Sequence, residues 1–353
     1  MISSLASLKE RVIKVFYSDV HALHQPRAFL KAGQLAPNPE TAARAEAIVS
    51  ALGDAGFELV APAYQGLDAV LAVHDEGLVR FLETGYQTWA RLPGAGAEIV
   101  ANTHPGGRFR NRPESIVGQA GYYTQDAACP IAAGTWQAAM AAVHCAADAA
   151  LAVMGGAASA YALCRPPGHH ATRMQSGGFC YLNNAAVAAQ LLRDRFERVA
   201  ILDVDVHHGN GTQDIFYNRS DVFFASIHGD PSGYYPFFSG TSGECGEGEG
   251  LGFNLNVPFP VGSGDSEVML ALASALAAVR SYKPQALVLS LGFDAHEKDP
   301  HGAHRVSTPG FMAMAQAISE LGLPCVVVQE GGYMHEELGS LARDFLRTLA
   351  GRC

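Results

Sequence analysis

The sequence predicts an α/β fold built on a mostly parallel sheet. It would be a single three-layer domain over residues 1–353, with about eight strands flanked by helices. Three observations carry that expectation. Short β-branched runs alternate with helical patterns along the whole chain. Runs such as Val199-Ala-Ile-Leu and Leu287-Val-Leu-Ser are continuous rather than alternating, which marks strands covered on both faces. No GxGxxG follows the first strand and no internal repeat is visible, so a dinucleotide fold lacks its main sign.

Taken in order, strands are expected at Val12–Ser18, Phe57–Ala63, Ala158–Cys164, Val199–Asp205, Val222–His228, Phe253–Pro258, Ala286–Phe293 and Cys325–Glu330. Helices are expected at Pro39–Leu52, Thr135–Met154, Asn184–Arg195, Ser266–Tyr282, Pro309–Leu321 and Glu336–Leu349. Asp265 followed by Ser266 and Glu267, and Thr308 before Pro309, read as helix starts. Two stretches interrupt the alternation. Gln87–Pro130 is rich in Gly, Pro, Arg and Asn, with weak periodicity and no clear strand, and reads as a long loop insertion. Gly233–Gly252 is a second loop, with seven glycines.

Composition narrows the function class. The chain is 48% hydrophobic and 16% charged, with mean hydropathy +0.08, which describes a folded protein. Its net charge of −10 and pI near 5.7 argue against nucleic acid as a ligand and favour a cationic small molecule. No apolar run reaches the roughly 18 to 20 residues that span a bilayer, so no membrane is expected. Lys9, Glu10, Arg11 and Lys14 interrupt Met1–Lys14, which is unlike a signal peptide. Seven cysteines lack CxxC spacing, and Cys164, Cys180, Cys245 and Cys325 read as reduced thiols. A cytoplasmic enzyme is expected.

In doubly wound sheets, ligands sit beyond the C-terminal strand ends. Those ends carry Arg165-Pro-Pro-Gly-His169-His170, Asp203-Val-Asp205-Val-His207-His208-Gly-Asn210, Ser226-Ile-His228, Asp294-Ala-His296 and Glu330-Gly-Gly-Tyr333. Asp205 and His207 are two apart at a strand end, so their side chains should leave the same face. With Asp294 they make a three-ligand set that leaves a position for water, as a catalytic metal requires. An Asp₂His set suits Zn²⁺ or Fe²⁺. Taken singly, each residue could equally be a strand-end cap or half of a buried ion pair.

These motifs, with Gly177-Gly-Phe-Cys-Tyr-Leu-Asn-Asn184 and Gly292-Phe-Asp294, resemble the histone deacetylase superfamily from roughly residue 12 to 350. Arg112-Pro-Glu-Ser-Ile-Val-Gly-Gln-Ala-Gly-Tyr-Tyr, in the long loop, looks more like the bacterial acetylpolyamine amidohydrolases than the nuclear enzymes. The resemblance implies an arginase/deacetylase-like fold and a metal-dependent amidohydrolase that removes acetyl groups from amines. Asp205, His207 and Asp294 would hold the metal. His170 would be the general base and then acid, and His169 would stay charged through Asp203. Tyr333 would donate to the developing oxyanion. Gly178, Phe179 and Tyr235 would line a channel, although Phe179 and Tyr235 could equally be core aromatics. Position 210 is Asn where many family members carry Asp, and a neutral partner should raise the pKa of His170 less.

The same resemblance implies K⁺ held by Asp203, the carbonyls of Asp205 and His207, the Ser226 hydroxyl and the Ile227 carbonyl. A second cation is implied near Phe216, Arg219 and Val222. His208 and His228 are expected to be hydrogen-bonding neighbours. His296 could be such a neighbour or a rim residue, and His144 a plain helix residue. His301, His304 and His335 carry no expectation. Ammonium groups call for carboxylates or aromatic faces at the rim, which points to Glu114 and Asp126 in the long loop. The loop is expected to lie over the channel mouth and to build a homodimer. An acetyl-lysine protein deacetylase and a non-catalytic acetyl-ligand binder are the alternatives. A two-metal ureohydrolase would need a carboxylate where Gly209 stands.

Overall fold

The computed structural model describes residues 13–106 and 111–351. Its strands are β1 (Lys14–Phe16), β2 (Ala28–Lys31), β3 (Gln34–Pro37), β4 (Glu58–Val60), β5 (Ser159–Ala162), β6 (Val199–Asp203), β7 (Val222–Gly229), β8 (Asn254–Phe259), β9 (Ala286–Leu291) and β10 (Cys325–Gln329). Eight of them form one sheet in the order β4-β1-β5-β10-β9-β6-β7-β8, and every pairing in it is parallel. Strands β2 and β3 make a separate antiparallel hairpin. The helices are α1 (Ala42–Asp54), α2 (Asp68–Val73), α3 (Glu76–Trp89), α4 (Ile116–Tyr122), α5 (Thr135–Met154), α6 (Asn184–Leu192), α7 (Asn210–Phe216), α8 (Asp265–Tyr282), α9 (Thr308–Ser319) and α10 (Leu338–Leu349).

Both faces of the sheet are covered, as the continuous apolar runs predict. Val199, Ile201, Val288, Val326 and Val328 belong to one core. Ala200, Leu202, Leu287, Leu289 and Val327, their immediate neighbours in sequence, belong to the core on the other face. The pleat thus sends successive side chains into two separate layers of helices.

The structure corrects several expectations. Most sheet strands are shorter than the apolar runs suggest, and at β6, β9 and β10 the residues past the strand end turn away to build the site; β7 instead runs one residue further, to Gly229. The caps sit one residue early: Ser307 accepts from the Gly310 N–H at 3.1 Å, and Glu267 accepts from the Gly264 N–H at 3.1 Å. The β2–β3 hairpin and helices α2, α3, α4 and α7 are not among the expected elements, although α3 carries a helical apolar stripe of buried Leu78, Val79, Phe81 and Leu82. Helix α5 is 20 residues long and, by length and composition alone, apolar enough to cross a membrane. Gln137, His144 and Asp148 break its apolar run in sequence, yet the helix is mostly buried and packs on α6 and β5.

The largest correction is Gln87–Pro130. It is no bare loop: α3 runs on to Trp89, α4 spans Ile116–Tyr122, and Ile99 pairs with Ile131. Ile99, Ile116, Ala120, Tyr123 and Cys129 are buried in the core. At Gly121 any β-carbon would collide with the Thr103 carbonyl, so part of this segment's glycine content serves close packing. Among the described residues all cysteines are free, and only Cys245 is exposed. Cys353 and nearly all of Met1–Lys14 lie outside the described residues.

Candidate active site

Five neighbouring strands, β5, β10, β9, β6 and β7, end at the edge where the polar motifs begin. Asp203 is in register with Ser226 on one side and Ser290 on the other, so a polar band crosses the sheet at its C-terminal end. This is where an open parallel sheet places its ligand.

Asp205 and His207 come together by a different route from the one expected. Strand β6 stops at Asp203, and both residues lie in the bends that follow, so a turn and not the strand pleat aims them. His207 Nδ1 lies 3.2 Å from Asp205 Oδ1 and 3.0 Å from Asp294 Oδ2. One ligand atom from each of the three falls within 4.8 Å of the others. Backbone groups orient the carboxylates: Asp205 Oδ2 accepts from the Gly331 N–H at 2.7 Å, and Asp294 Oδ1 from the Val206 N–H at 3.2 Å. A β-carbon at Gly292 or Gly331 would strike these carboxylates, so the glycines make the cradle. Two buried carboxylates facing one imidazole nitrogen fit a divalent metal with coordination positions to spare. At Gly209 a β-carbon would meet the Asp203 carboxylate and the Phe224 ring, which leaves no room for the second-metal carboxylate of a ureohydrolase.

Two imidazoles lie beside this set, with ring centroids 4.0 Å apart. His169 Nδ1 is 3.0 Å from Asp203 Oδ2. Burial works against a charged His169, but Asp203 and Asp205 outweigh it and hold its pKa up at about 10. His170 Nδ1 is 2.7 Å from Asn210 Oδ1. Burial, reinforced by His169 and His207, holds His170 well below the ordinary 6.5. One ring is thus kept cationic and the other neutral near pH 7. Glu330 fixes the turn that carries them by accepting from the Gly168 and His169 N–H groups at 2.7 and 3.1 Å.

Tyr333 is 5% exposed and lines the channel above these residues. Burial chiefly raises its pKa well above 10, against the pull of Arg44, so the phenol keeps its proton. Asp299 accepts from its N–H at 2.6 Å, and the Arg44 guanidinium lies 4.9 Å from its ring centroid. Arg44 also donates to the Gly332 and Glu330 carbonyls. It is held by Glu40 at 2.7 Å, which also pairs with Arg165 at 2.9 Å. Arg44, Glu40, Asp299 and the bracing role of Glu330 were not read from the sequence. Only Arg165 and Glu330 sit inside a motif.

The channel is a cavity of about 580 Å³ that His170, His207 and Tyr333 reach. Gly178, Phe179 and Tyr235 line it as expected, joined by Phe29, Tyr234 and His301, which had no sequence signal. Gly178 has φ 52°, and a β-carbon there would hit the His170 ring. Asp126 stands in the wall, where its Oδ2 accepts from the Tyr235 hydroxyl at 2.6 Å and the Gly178 N–H at 3.2 Å. Glu114 does not line this channel. It is exposed, and its carbonyl accepts from the Gln119 side chain at 3.1 Å. Among the described residues of the long loop, only Gln125–Ala128 reach the channel. The rim also carries Lys31.

The remaining candidates are placed as follows. Asp203 is fully buried and its Oδ1 accepts from the Asp205 N–H at 3.1 Å. Ser226 Oγ is 2.8 Å from His228 Nδ1, and Ile227 is buried beside it on β7. Arg219, near Phe216 and Val222, binds Asp221 at 2.7 and 2.9 Å and Gln190 at 2.9 Å. His208 lies 3.1 Å from Gln213 and from Asn256, and His228 3.1 Å or less from its partners, Ser226 and Gly240 at 2.8 Å each. His296 is a buried neighbour and not a rim residue: it bonds Thr308 at 3.0 Å and stacks on His335. His144 packs within α5 against Tyr64.

With this geometry in view, a family profile described as the histone deacetylase domain matches residues 38–349. The acetylpolyamine amidohydrolase of Mycoplana ramosa is 44% identical over 342 residues, covering 96% of this chain and 100% of the relative. Acetylpolyamine amidohydrolase 2 of Pseudomonas aeruginosa is 44% identical over 338 residues, covering 95% of this chain and 98% of that relative. The crystal structure of an acetylpolyamine aminohydrolase from Burkholderia pseudomallei superposes with a TM-score of 0.93 at 43% identity, covering 96% of this chain and 99% of the other.

Proposed function

The chain belongs to the histone deacetylase family, and from that premise we propose that it is a metal-dependent amidohydrolase of acetylpolyamines. The observation that carries this reading is the convergence of Asp205, His207 and Asp294 with two unlike imidazoles and a phenol at the floor of one channel. The relatives named for acetylpolyamines align with this chain nearly end to end. The whole chain is read as one catalytic domain.

The three ligands would hold Zn²⁺ or Fe²⁺. When bound, the ion polarises the acetyl carbonyl and makes a water acidic enough to attack at neutral pH. The protein's residues supply the rest. Neutral His170 takes the proton of the attacking water and returns it to the leaving amine. His169, kept cationic by Asp203, stabilises negative charge as it develops. Tyr333, whose proton burial retains, donates to the carbonyl oxygen as it becomes an oxyanion. The aromatic walls exclude water from the alkyl chain. Asp126 and the ring faces of Phe179 and Tyr235 suit a cationic tail. K⁺ is assigned to Asp203, Asp205, His207, Ser226 and Ile227, where a fully buried carboxylate aligns with a strand-borne hydroxyl. Glu114, exposed on the insertion, is assigned to a rim completed by a second subunit of a homodimer.

Acetate release from N-acetylputrescine tests the reading. Metal-loaded protein should release one acetate per amine formed, and chelated protein none. Intact substrate after prolonged incubation with the metal-loaded protein would refute it.

A further inference from the structure

Gln125 closes a ring of hydrogen bonds around His170. Its Nε2 donates to the His170 carbonyl at 2.8 Å and lies 3.4 Å from the Gln175 carbonyl. Its Oε1 accepts from Asn210 Nδ2 at 2.9 Å, and Asn210 Oδ1 lies 2.7 Å from His170 Nδ1.

The direction of every bond follows from one end. Backbone carbonyls only accept, so Gln125 must turn its amide nitrogen towards them. Its oxygen then faces Asn210, which must answer with its own amide nitrogen. Asn210 Oδ1 is left facing His170 Nδ1, so that nitrogen must carry the proton. The free lone pair is thereby placed on Nε2, the nitrogen a general base needs. Gln125 is itself well fixed: its N–H donates to the Ser176 carbonyl at 2.8 Å, and a β-carbon at Gly177 would come within 2.7 Å of its Nε2.

The neighbouring imidazole needs no such relay. Asp203 is a carboxylate and accepts whichever way it turns, so it orients His169 alone. An amide has a donor end and an acceptor end, and Asn210 without Gln125 could present the wrong one. We propose that Gln125 is a positioning residue that sets the tautomer of His170 through Asn210. This rests on the assignment of His170 as general base. It also gives the insertion a part in catalysis besides any at the rim.

The test is a double-mutant cycle in zinc-loaded protein with N-acetylputrescine. Gln125→Met keeps the side-chain volume and removes both hydrogen bonds. It should lower kcat by roughly tenfold, the scale of a lost orienting partner, with KM within about twofold and metal content unchanged. In an Asn210→Asp background, where a carboxylate accepts either way, the same change should cost less than about twofold. Near-normal kcat for Gln125→Met, or the same tenfold loss in both backgrounds, would overturn the relay. Wild-type turnover separates this from the functional reading, which falls only if the unmodified protein is inactive. A readout independent of turnover is the ¹⁵N spectrum of labelled histidine, with His170 assigned by its loss in His170→Ala. Wild type and the double mutant should show Nδ1–H alone, and Gln125→Met a mixture. An unmixed Nδ1–H tautomer in Gln125→Met would contradict the proposal even in a protein without activity.

Discussion

At the floor of the channel, Asp205 and Asp294 accept from the backbone N–H groups of Gly331 and Val206 at 2.7 and 3.2 Å, and His207 lies 3.0 Å from Asp294. At the rim, Lys31 stands in solvent and Phe238 is 97% exposed. The floor is over-determined: glycine cradles, backbone donors and the Arg44–Glu40–Arg165 brace leave each side chain one position. The rim is composed of loop and hairpin residues with few fixed partners, Asp126 excepted. Chemistry should therefore be intolerant of floor changes, while substrate choice should respond to rim changes by small factors.

The largest effect should come from Asp294→Ala. It removes one of three ligands and leaves Asp205 and His207 facing each other. Metal content and deacetylation should both be lost, as followed by metal analysis and acetate release. Full metal occupancy in that protein would break the ligand assignment.

Tyr333→Phe should follow, with a loss of roughly 10²- to 10³-fold in kcat, about 3 to 4 kcal/mol, and little change in substrate binding. Steady-state kinetics read this directly. Near-normal turnover would place oxyanion stabilisation elsewhere on the floor.

His170→Ala should lower kcat by at least ~10²-fold with metal retained, and His169→Ala by less. The pH profile sharpens the contrast between the two imidazoles. A base must be neutral, and burial with His169 and His207 lowers the pKa of His170, so kcat/KM should hold as pH falls through 6.5. A bound divalent ion pushes the same way. His169 acts as a cation, and its pKa of about 10 puts the loss of that charge in the alkaline range. An acid limb centred above pH 7 would contradict the assignment.

The smallest effects belong to the rim. Asp126→Asn should raise KM for acetylpolyamines several-fold, because that carboxylate binds both Tyr235 and Gly178 in the channel wall. Glu114→Ala, at an exposed position off its own chain's channel, should change it by less than about twofold in the monomer and by more in the homodimer to which its rim role is assigned. A larger effect at Glu114, lost on dilution to monomer, would show that a second subunit brings it to the substrate.

The same contrast governs what could be read from the sequence. Floor residues sit at strand ends within short motifs, where apolar runs announce the strand and the next polar residues the site. Asp203, Asp205, His207, Asp294, His169, His170 and Tyr333 were legible for that reason. Arg44 and Glu40 brace the site from helix α1 and the residues just before it, far away in sequence, and look like ordinary polar residues. Gln125 lies in a segment whose composition suggested a bare loop, yet Ile99, Ile116 and Tyr123 anchor that segment in the core. Glu114 was singled out by charge alone, and charge does not say which way an exposed loop faces. The bends after β6 were hidden because a pleat and a turn both bring residues two apart to one side.

The most direct test of the central claim is kcat/KM across acetylputrescine, acetylcadaverine, acetylspermidine and an acetyl-lysine peptide, each with metal-loaded and metal-depleted protein. The account predicts metal-dependent hydrolysis throughout the polyamine series, at rates above that of the peptide. Faster hydrolysis of the peptide would contradict the polyamine assignment, and no hydrolysis of any of them by the metal-loaded protein would contradict the deacetylase itself.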